Sequence, residues 1–498
     1  MTLKDELRTL LESGTLSAIG QAYRCGVLSI DQAVSWYLAR IAKLNKAGPK
    51  LNCVKAVSTT ALHEAQLLDE ELSAGQDRGP LHGIPILIKA NVMMGPDYTV
   101  HAGVAALHDF RPTITATLVT RLRGAGAVIL GQTNMTEFAD YVADVMPAGF
   151  SGAEGMVLNP HGIPYGRGPY GRGLGSSVGS ASAVAAGLAP LAIGGETQNS
   201  IQTPASYSSV VGYKPSLGAL TRAGIMPLVP SQDAAGFLGR CVADVAAATA
   251  AVEGADVRDA ASMLWPVGRK SGTQIADIST LRIGVPRRAM ADREQFADVM
   301  PHFNAALAAL ARAGATIVDP CDLPSADALH DVRSTVFATE FKESLNALLE
   351  DHRPSEEVGS LADLIAWNSA HPEVIPYGQS LLIAAEATKG INHPTYVADK
   401  RRDMELSRTN GIDAAMRNGK VDVLIAPMGA AAKCTGKAGA PTLAIPVGLS
   451  ADGTPFGVTL YAQWGDDDAV LAAAALVEAH IGDRRLPTLA LAQQENLR

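Results

Sequence analysis

The chain has 498 residues, of which 47% are hydrophobic and 18% charged, and its formal net charge is −9. That length suits one large domain or about three average ones, and the apolar content supplies a buried core. The acidic balance and the lack of any Lys/Arg block argue against nucleic acid as a partner.

Membrane and metal roles are also unsupported by the sequence. The N-terminal segment MTLKDELRTLLESG is charged and amphipathic, unlike a signal peptide, and no uncharged apolar run reaches the ~18–20 residues of a membrane span. We therefore expect a cytoplasmic protein that makes no membrane contact. The eleven histidines form no H-E-x-x-H motif. The odd, scattered set of five cysteines indicates reduced thiols, with neither a disulfide framework nor a zinc site.

The N-terminal third is predicted to change from helices to buried strands. Residues 3–73 have helical spacing, and we expect a helical N-terminal region over 1–75. The run GIPILIK at 83–89 is continuously apolar up to its lysine, which is typical of a strand buried on both faces. A helix over 116–123 and a second buried strand over 128–131 follow.

The middle of the chain is predicted to be a long loop followed by a helix and a strand. Residues 141–179 are crowded with Gly, Pro and Tyr, 180–188 form an alanine-rich helix, and 191–194 form a strand before the polar loop 195–200. In the second half we predict helices at 242–252, 303–313 and 469–481 and strands at 282–285, 316–318, 421–427, 443–447 and 457–461.

Alternating helices and apolar strands predict an α/β sandwich around one large sheet. We expect a single domain over 1–498, with a catalytic core at 83–250. Residues 322–400 are rich in helical pattern and in prolines, and we expect them to form a helical cap over the site.

The Ser/Gly-rich stretch at 171–204 allows three interpretations. Residues 175–179 match the G-x-S-x-G nucleophile elbow, but that motif needs a buried strand before it, and a Gly/Arg/Tyr loop stands there instead. A phosphate cradle would need a Walker motif or a dinucleotide fingerprint, and neither occurs. A Gly-rich turn packed against a helix of small residues is the structural alternative.

Together with Lys89, this stretch supplies two hydroxyls and an amine with no histidine nearby. That set suits a serine nucleophile activated through a second serine by a neutral lysine, which is acyl-transfer chemistry with amides as targets. Burial at the end of an apolar strand can lower a lysine pKa by several units. The structural alternative for Lys89 is a surface lysine or one paired with an acid.

Five ordered blocks resemble the amidase signature family, most closely its peptide amidases, aryl acylamidases and urethane-cleaving amidases. The resemblance runs from about residue 29 to the end and implies a central mixed β-sheet flanked by helices. The blocks are GIPILIKANV, LRGAGAVILGQTNMTEFA, GLGSSVGSASAVAAGLAPLAIGGETQNSIQTPAS, VVGYKPSLGALTRAGIMPLVPSQDAAGFLGRCVADVA and GAPTLAIPVGLSADGTPFGVTL.

The resemblance implies a role for each matched residue. Lys89 is the base, Ser176 relays the proton and follows a cis peptide bond, and Ser200 is the nucleophile. The two serines are 24 positions apart, as in the family. Backbone N–H groups of Thr197, Gln198, Asn199 and Ser200 are expected to form the oxyanion hole.

The chain departs from the family pattern around the nucleophile. Gln198 and Asn199 stand where two glycines are usual, and we interpret them as specificity elements or as residues that hydrogen-bond the loop. Gln202 and Thr203 occupy positions where some relatives carry an arginine that clamps a carboxylate, so we expect a neutral substrate. The candidate substrate-binding residues are Met93, Met94, Gly175, Gln202 and Thr203, and the expected structural supports are Ser177, Glu137 and Asp233.

The leading hypothesis is a serine amidohydrolase, without cofactor or metal, that acts on a small neutral amide, anilide or carbamate as a monomer or homodimer. Two alternatives stay open. The chain could be an amidotransferase subunit that passes ammonia within a complex, or a catalytically inactive scaffold of the same fold.

Overall fold

One mixed β-sheet organises the protein. The computed structural model describes residues 3–163, 175–269, 275–290, 297–353 and 355–487. In the sheet the strand order is β1-β3-β2-β4-β6-β5-β10-β11-β9-β7-β8. The strands are β1 (Val54–Val57), β2 (Pro85–Lys89), β3 (Val128–Thr133), β4 (Leu191–Glu196), β5 (Val211–Lys214), β6 (Ala234–Gly239), β7 (Arg282–Gly284), β8 (Thr316–Val318), β9 (Val423–Pro427), β10 (Thr442–Leu449) and β11 (Pro455–Tyr461).

Helices flank this sheet, and the predicted α/β class with a central mixed sheet is confirmed. Within the described ranges, every helix falls short of the length and apolar character that a bilayer crossing needs. The helices are α1 (Leu3–Ser13), α2 (Leu16–Arg24), α3 (Ile30–Ile41), α4 (Ala61–Ser73), α5 (Thr117–Gly124), α6 (Val178–Ala185), α7 (Gln202–Tyr207), α8 (Val242–Val252), α9 (Ala260–Gly268), α10 (Arg287–Met290), α11 (Met300–Ala313), α12 (Ala326–Asp331), α13 (Val336–His352), α14 (Leu361–Ala370), α15 (Ser380–Glu386), α16 (Pro394–Met404), α17 (Asp413–Gly419), α18 (Ala432–Ala438) and α19 (Asp467–Ile481).

Strand direction brings distant loops together at one side of the sheet, where the carboxyl ends of β2, β3 and β4 lie; this side is called the site edge below. β2 runs parallel to both β3 and β4, so the segments that follow Lys89, Thr133 and Glu196 leave the same edge. β6 runs antiparallel to β4 with Ala234 opposite Glu196, so Asp233 enters the sheet there as well. All five residues of β2 are buried, as expected for a central strand covered on both faces.

Small residues allow α6 to pack directly behind this edge. All eight residues of α6 are buried. A side chain at Gly179 would place its Cβ 2.0 Å from the Asn134 carbonyl oxygen, so only glycine fits at this contact. The helix spans 178–185, whereas 180–188 was predicted. It therefore begins two residues earlier, directly after Ser176 and Ser177, the serine pair.

Three strands were not predicted. β1 lies inside the segment predicted to be helical over 3–73, and it pairs antiparallel with β3 at the sheet edge. β5 and β6 pair with each other and with β10 and β4 in the middle of the sheet. The N-terminal region is therefore helical on both sides of a strand, and the prediction of helix throughout was wrong.

The helices of the 322–400 region share a second apolar cluster with the site edge of the sheet. Phe341 on α13, Leu364 on α14 and Leu382 on α15 belong to the cluster that also contains Phe138 and Leu228. This places apolar helix faces against the loops that follow β3 and precede β6.

Candidate active site

Lys89, the last residue of β2, is buried with 1% of its surface exposed. Its Nζ lies 2.7 Å from Ser176 Oγ, 3.0 Å from Ser177 Oγ and 3.0 Å from the Gly195 carbonyl oxygen. Burial lowers the pKa of Lys89 to about 7, against the opposing effect of the nearby carboxylates of Asp233 and Glu196. A neutral amine is therefore well populated at neutral pH.

The hydrogen bonds around Lys89 fix where its lone pair points. The Gly195 N–H donates to Ser177 Oγ at 3.1 Å, and the Ser177 hydroxyl donates to the Gly195 carbonyl at 3.1 Å. With its hydrogen used in this way, Ser177 accepts from Lys89, and the Gly195 carbonyl can only accept. The two hydrogens of a neutral Lys89 amine are then donated to Ser177 Oγ and the Gly195 carbonyl, and its lone pair faces Ser176 Oγ. This geometry suits proton transfer from Ser176 to Lys89.

Thr136 holds the segment that carries Ser176. Its N–H donates to the Ser176 carbonyl at 3.2 Å, and its hydroxyl donates to the Gly175 carbonyl at 3.1 Å. The same hydroxyl accepts from the Gly149 N–H at 2.8 Å. Gly175 has a φ of +113°, a conformation that favours glycine.

The cis peptide bond expected before Ser176 is not found. Among the described residues the cis bond is Asp319–Pro320. In this structure Ser176 Oγ thus comes within 2.7 Å of Lys89 Nζ without a cis bond at Gly175–Ser176.

Ser200 lies beside the serine pair and is 4% exposed. Its carbonyl accepts a hydrogen bond from the Ser177 N–H at 3.1 Å, which ties the two serine-bearing segments together. No hydrogen bond joins the Ser176 and Ser200 hydroxyls within the described part of the chain. The structure thus brings Lys89 and Ser176 into direct contact and places Ser200 next to them.

A buried carboxylate supports the turn after Ser200. Glu196 Oε2 accepts from the N–H groups of Ile201 at 2.7 Å and Gln202 at 2.9 Å, and its Oε1 accepts from the Gln202 side chain at 2.9 Å. Sequence analysis did not single out Glu196. The sequence feature that could have indicated Glu196 is an acidic residue at the end of a buried apolar strand, four residues before the candidate nucleophile Ser200.

The backbone donors expected to stabilise an oxyanion are available. The N–H groups of Gln198, Asn199 and Ser200 have no acceptor among the described residues. The Thr197 hydroxyl donates to Asp233 Oδ1 at 2.6 Å, and Gln198 Nε2 donates to Gln232 Oε1 at 3.1 Å. These bonds hold the loop from one side.

Helix α18 holds the same loop from the other side. A Cβ built on Gly436 would lie 2.4 Å from the Thr197 carbonyl oxygen and 2.9 Å from Gln198 Cα. Only a residue without a side chain allows this approach, so α18 contacts the backbone of the loop directly.

A cavity of about 210 Å³ opens beside Lys89. The sequence-predicted substrate residues do not line it. Met93 is buried, with its N–H donating to the Gly224 carbonyl at 2.9 Å, and Met94 is buried in a β-bridge with Thr115. The predicted loop residues 164–174 lie outside the described residues.

The other predicted substrate residues also lie away from this cavity. Gln202 Nε2 donates to Glu196 and to the Gln198 carbonyl, so this side chain supports the loop. Thr203 is buried against Gly429, and Gly175 contacts Pro204. The lining is mixed and comes mainly from the loops after β2 and β3 and before β6. It combines apolar side chains such as Met135, Phe138 and Met226 with charged ones such as Lys89 and Asp233.

One cluster of metal-ligating residues occurs outside the site, as far as the structure describes the chain. His101, His108 and Glu154 bring ligand atoms within 4.8 Å of one another. However, His101 Nδ1 accepts from the Gly103 N–H at 3.0 Å, so the neutral ring carries its proton on Nε2, which faces Glu154 at 3.4 Å. A protonated Nε2 cannot ligate a metal, and its 3.4 Å separation from Glu154 Oε1 is a polar contact without a hydrogen bond.

We predict that Thr136→Val destabilises the protein by about 1–3 kcal/mol, because the isosteric change leaves the buried Gly175 carbonyl and Gly149 N–H without their partner. Urea denaturation measures the difference in the free energy of unfolding. The matched control is Thr113→Val at an exposed threonine. Equal stabilities of the two variants would contradict this role for Thr136.

Comparisons with known proteins relate this chain to amidases. A family model described as Amidase matches residues 32–437. A probable amidase of Arabidopsis thaliana is 31% identical over 463 residues, covering 90% of this chain and 86% of the relative. A glutamyl-tRNA(Gln) amidotransferase subunit from Ralstonia nicotianae is 30% identical over 503 residues, covering 93% of this chain and 96% of the relative.

The fold matches a solved enzyme as well. The native peptide amidase from Stenotrophomonas maltophilia superposes with a TM-score of 0.85 at 36% sequence identity, covering 95% of this chain and 98% of that one. The family resemblance seen in the sequence is thereby confirmed. The chain belongs to the amidase signature family and is an amide-hydrolysing enzyme.

Proposed function

We propose that the chain cleaves an uncharged amide, anilide or carbamate bond through an acyl-enzyme on Ser200. The observation that carries this proposal is the buried Lys89 amine at 2.7 Å from the Ser176 hydroxyl, with its lone pair directed there. An exposed lysine is charged at neutral pH and cannot act as a base, whereas this one can. Ser200, next to Ser176, is the hydroxyl that such a base can activate.

The reaction then proceeds in balanced steps. Ser200 Oγ bonds to the substrate carbonyl carbon while its proton passes to Ser176 Oγ and the Ser176 proton passes to Lys89 Nζ. The tetrahedral intermediate collapses, the C–N bond breaks, and the leaving nitrogen takes a proton through the same relay. Water attacks the acyl-enzyme in the same manner and releases the acid and free Ser200.

Two features support the transition state. The available N–H groups of Gln198, Asn199 and Ser200 can donate to the developing oxyanion. The hydrogen bond between the two serine hydroxyls would form when substrate binds, since catalytic hydrogen bonds often tighten only in the complex. A rotation of the Ser200 side chain is enough to change the direction of its hydroxyl.

The surroundings favour a neutral substrate. Gln202 stands where a carboxylate clamp is found in some relatives, and its side-chain Nε2 already donates to Glu196 and to the Gln198 carbonyl. Helices α13, α14 and α15 contribute to the apolar cluster that contains Phe138 and Leu228, and Phe341 of α13 contacts Phe138 directly, which supports a role as a cap over the substrate. Similarity to a peptide amidase makes peptide amides the first substrates to test.

The test is a hydrolysis panel with the purified chain alone. We expect release of an amine or ammonia from at least one member of a set of p-nitroacetanilide, an aryl carbamate and N-acetyl-L-phenylalaninamide. Mass spectrometry of the chain after treatment with a serine-directed phosphonate should place the label on Ser200. An inactive scaffold would show neither turnover nor labelling.

A second candidate function is that of an amidotransferase subunit, which the similarity to the glutamyl-tRNA(Gln) amidotransferase of Ralstonia nicotianae supports. Such a subunit would use glutamine and hand the ammonia to another protein. Efficient hydrolysis of anilides or peptide amides by the isolated chain would count against it. When glutamine is added to the panel, turnover of glutamine alone would favour this candidate over our proposal.

The activity is expected to rise with pH through about 7, where the pKa of Lys89 lies. Below this pH the amine is charged and cannot accept the Ser176 proton, so kcat/KM should fall about tenfold per pH unit. Burial also raises the pKa of Glu137 to about 7, so Glu137→Gln is the matched control and should keep the profile. A flat profile between pH 5.5 and 8.5 would rule out Lys89 as the base.

A further inference from the structure

The two side chains that stand before Ser200 in place of the usual glycines have different surroundings. Gln198 Nε2 donates to Gln232 Oε1 at 3.1 Å, and the Gln198 carbonyl accepts from Gln202 Nε2 at 2.8 Å. Gln198 therefore hydrogen-bonds the loop, which is one of the two interpretations that the sequence leaves open. Within the described ranges the side chain of Asn199 makes no such contact, so it calls for a separate explanation.

The Asn199 carboxamide is free next to the candidate nucleophile. Asn199 is half-buried, and neither atom of its carboxamide has a hydrogen-bond partner among the described residues. Both atoms keep accessible surface, since neither belongs to the fully covered polar atoms that lack a partner. The backbone, in contrast, is held, because the Asn199 carbonyl accepts from the Thr203 N–H at 3.2 Å. The side chain can thus contact a ligand without a movement of the main chain.

Two glycines leave room around this side chain. A Cβ built on Gly429, in the segment between β9 and α18, would lie 3.9 Å from Asn199 Cβ. A Cβ built on Gly175 would lie 3.2 Å from the Asn199 carbonyl oxygen. Consecutive Cα atoms are about 3.8 Å apart, so a short side chain at position 199 stays close to any group that is bonded to Ser200. The carboxamide is therefore within reach of the reacting bond.

Cleavage of an amide bond presents an N–H group that needs an acceptor. The leaving nitrogen can take a proton from Ser176 only when its lone pair faces that hydroxyl, and its N–H bond then points elsewhere. An N–H that is shielded from water without an acceptor is unfavourable. The Ser200 carbonyl already accepts from the Ser177 N–H, and the Gly195 carbonyl accepts from the Ser177 hydroxyl. Asn199 Oδ1 is an acceptor that is still open.

We propose that Asn199 Oδ1 accepts a hydrogen bond from the N–H of the leaving nitrogen, and that this contact makes the enzyme selective for amides over esters. The inference rests on the proposed function. The backbone N–H groups of the loop supply donors to the oxyanion, which leaves the carboxamide oxygen for the nitrogen. An ester has no N–H at this place, so its cleavage gains nothing from Asn199.

Two compounds isolate this contact. p-Nitroacetanilide and p-nitrophenyl acetate share the acyl and aryl groups and differ in the N–H of the leaving group. Asn199→Leu removes both hydrogen-bonding atoms at similar volume. In this variant kcat/KM for the anilide should fall about tenfold or more, whereas kcat/KM for the ester should stay within about twofold of wild type. If N-acetyl-L-phenylalaninamide is the amide that the enzyme turns over, its methyl ester completes the pair.

Controls exclude general effects of the substitution. Asn418→Leu, at an exposed asparagine of α17, is the matched control and should keep both values of kcat/KM. Ser200→Ala supplies the background rate of ester hydrolysis. Asn199→Gly, which restores the residue usual in the family, should lower the anilide-to-ester ratio in the same direction as Asn199→Leu. Thermal melting checks that each variant is folded.

Asn199→Asp separates the acceptor of the carboxamide from its donor. The carboxylate keeps acceptor oxygens and loses the NH₂ group. Its charge next to the oxyanion should lower kcat/KM for both compounds, but their ratio should stay within about threefold of wild type. A ratio that falls in Asn199→Asp as far as in Asn199→Leu would overturn the inference, because the donor would then be the atom that matters.

The outcomes separate the inference from the proposed function. Equal losses on both compounds in Asn199→Leu would mean that Asn199 supports the loop or the oxyanion, and no loss on either would mean that its side chain does not contact the substrate. Both results overturn the inference while catalysis by Ser200 stands. Hydrolysis of esters alone, with the phosphonate label on Ser200, would overturn it as well. Absence of turnover on every amide and ester, with no label on Ser200, would reject the proposed function itself.

Discussion

Replacing Ser200 with alanine is expected to reduce kcat by at least about a thousandfold, the scale seen when a catalytic nucleophile is removed from a serine hydrolase. The reason is positional. Ser200 follows Gln198 and Asn199, whose N–H groups are available, and its carbonyl accepts from the N–H of Ser177, the neighbour of the Ser176 that contacts Lys89. The hydroxyl itself makes no internal bond in the described structure, so its loss should leave the fold intact.

The measurement is a comparison of burst and steady-state release of p-nitroaniline by wild type and Ser200→Ala. Ser73→Ala, at an exposed serine near the end of α4, is the matched control and should behave as wild type. Residual activity within tenfold of wild type would mean that another group attacks the carbonyl, and Ser176 would be the next candidate.

Lys89→Met is expected to have a comparable effect on kcat and to abolish the pH dependence near 7. Methionine fills much of the same buried volume but cannot accept a proton. The change also removes partners from Ser177 and from the Gly195 carbonyl, so the free energy of unfolding should fall by about 1–3 kcal/mol. The loss of activity should therefore far exceed the loss of folded protein.

Lys43→Met, at an exposed lysine, serves as the control for this variant. Circular dichroism melts show whether Lys89→Met is folded under the assay conditions. If the folded variant retains more than a tenth of wild-type kcat, or keeps the rise in activity through pH 7, the base lies elsewhere.

The sequence predicted most strands of the sheet and missed β1, β5 and β6. β2 and β9 are short apolar runs between turn-forming residues, a sequence pattern that is typical of buried strands in α/β proteins. β5 and β6, with the sequences VGYK and AAGFLG, are interrupted by glycine, which leaves no continuous run of Val, Ile or Leu to mark them. These strands form because they pair with strands that are distant in the sequence, and a local sequence pattern does not show such pairing.

Prediction of the candidate site from the sequence is limited in the same way, because local patterns do not show contacts between distant residues. Lys89, Ser176 and Ser200 could be proposed from the sequence because each lies in a block of ordered family resemblance. Thr136 could not, since its role is a pair of hydrogen bonds to residues about 40 positions later in the chain.

The contact between Gly436 and the loop that carries Thr197 and Gln198 has a consequence for biosynthesis. This loop is complete in sequence long before α18 has been translated, yet its backbone is held in place from one side by that helix. A nascent chain still on the ribosome would present the serines and the lysine without this support. Hydrolytic competence should consequently appear only after the last third of the polypeptide has been released and has folded.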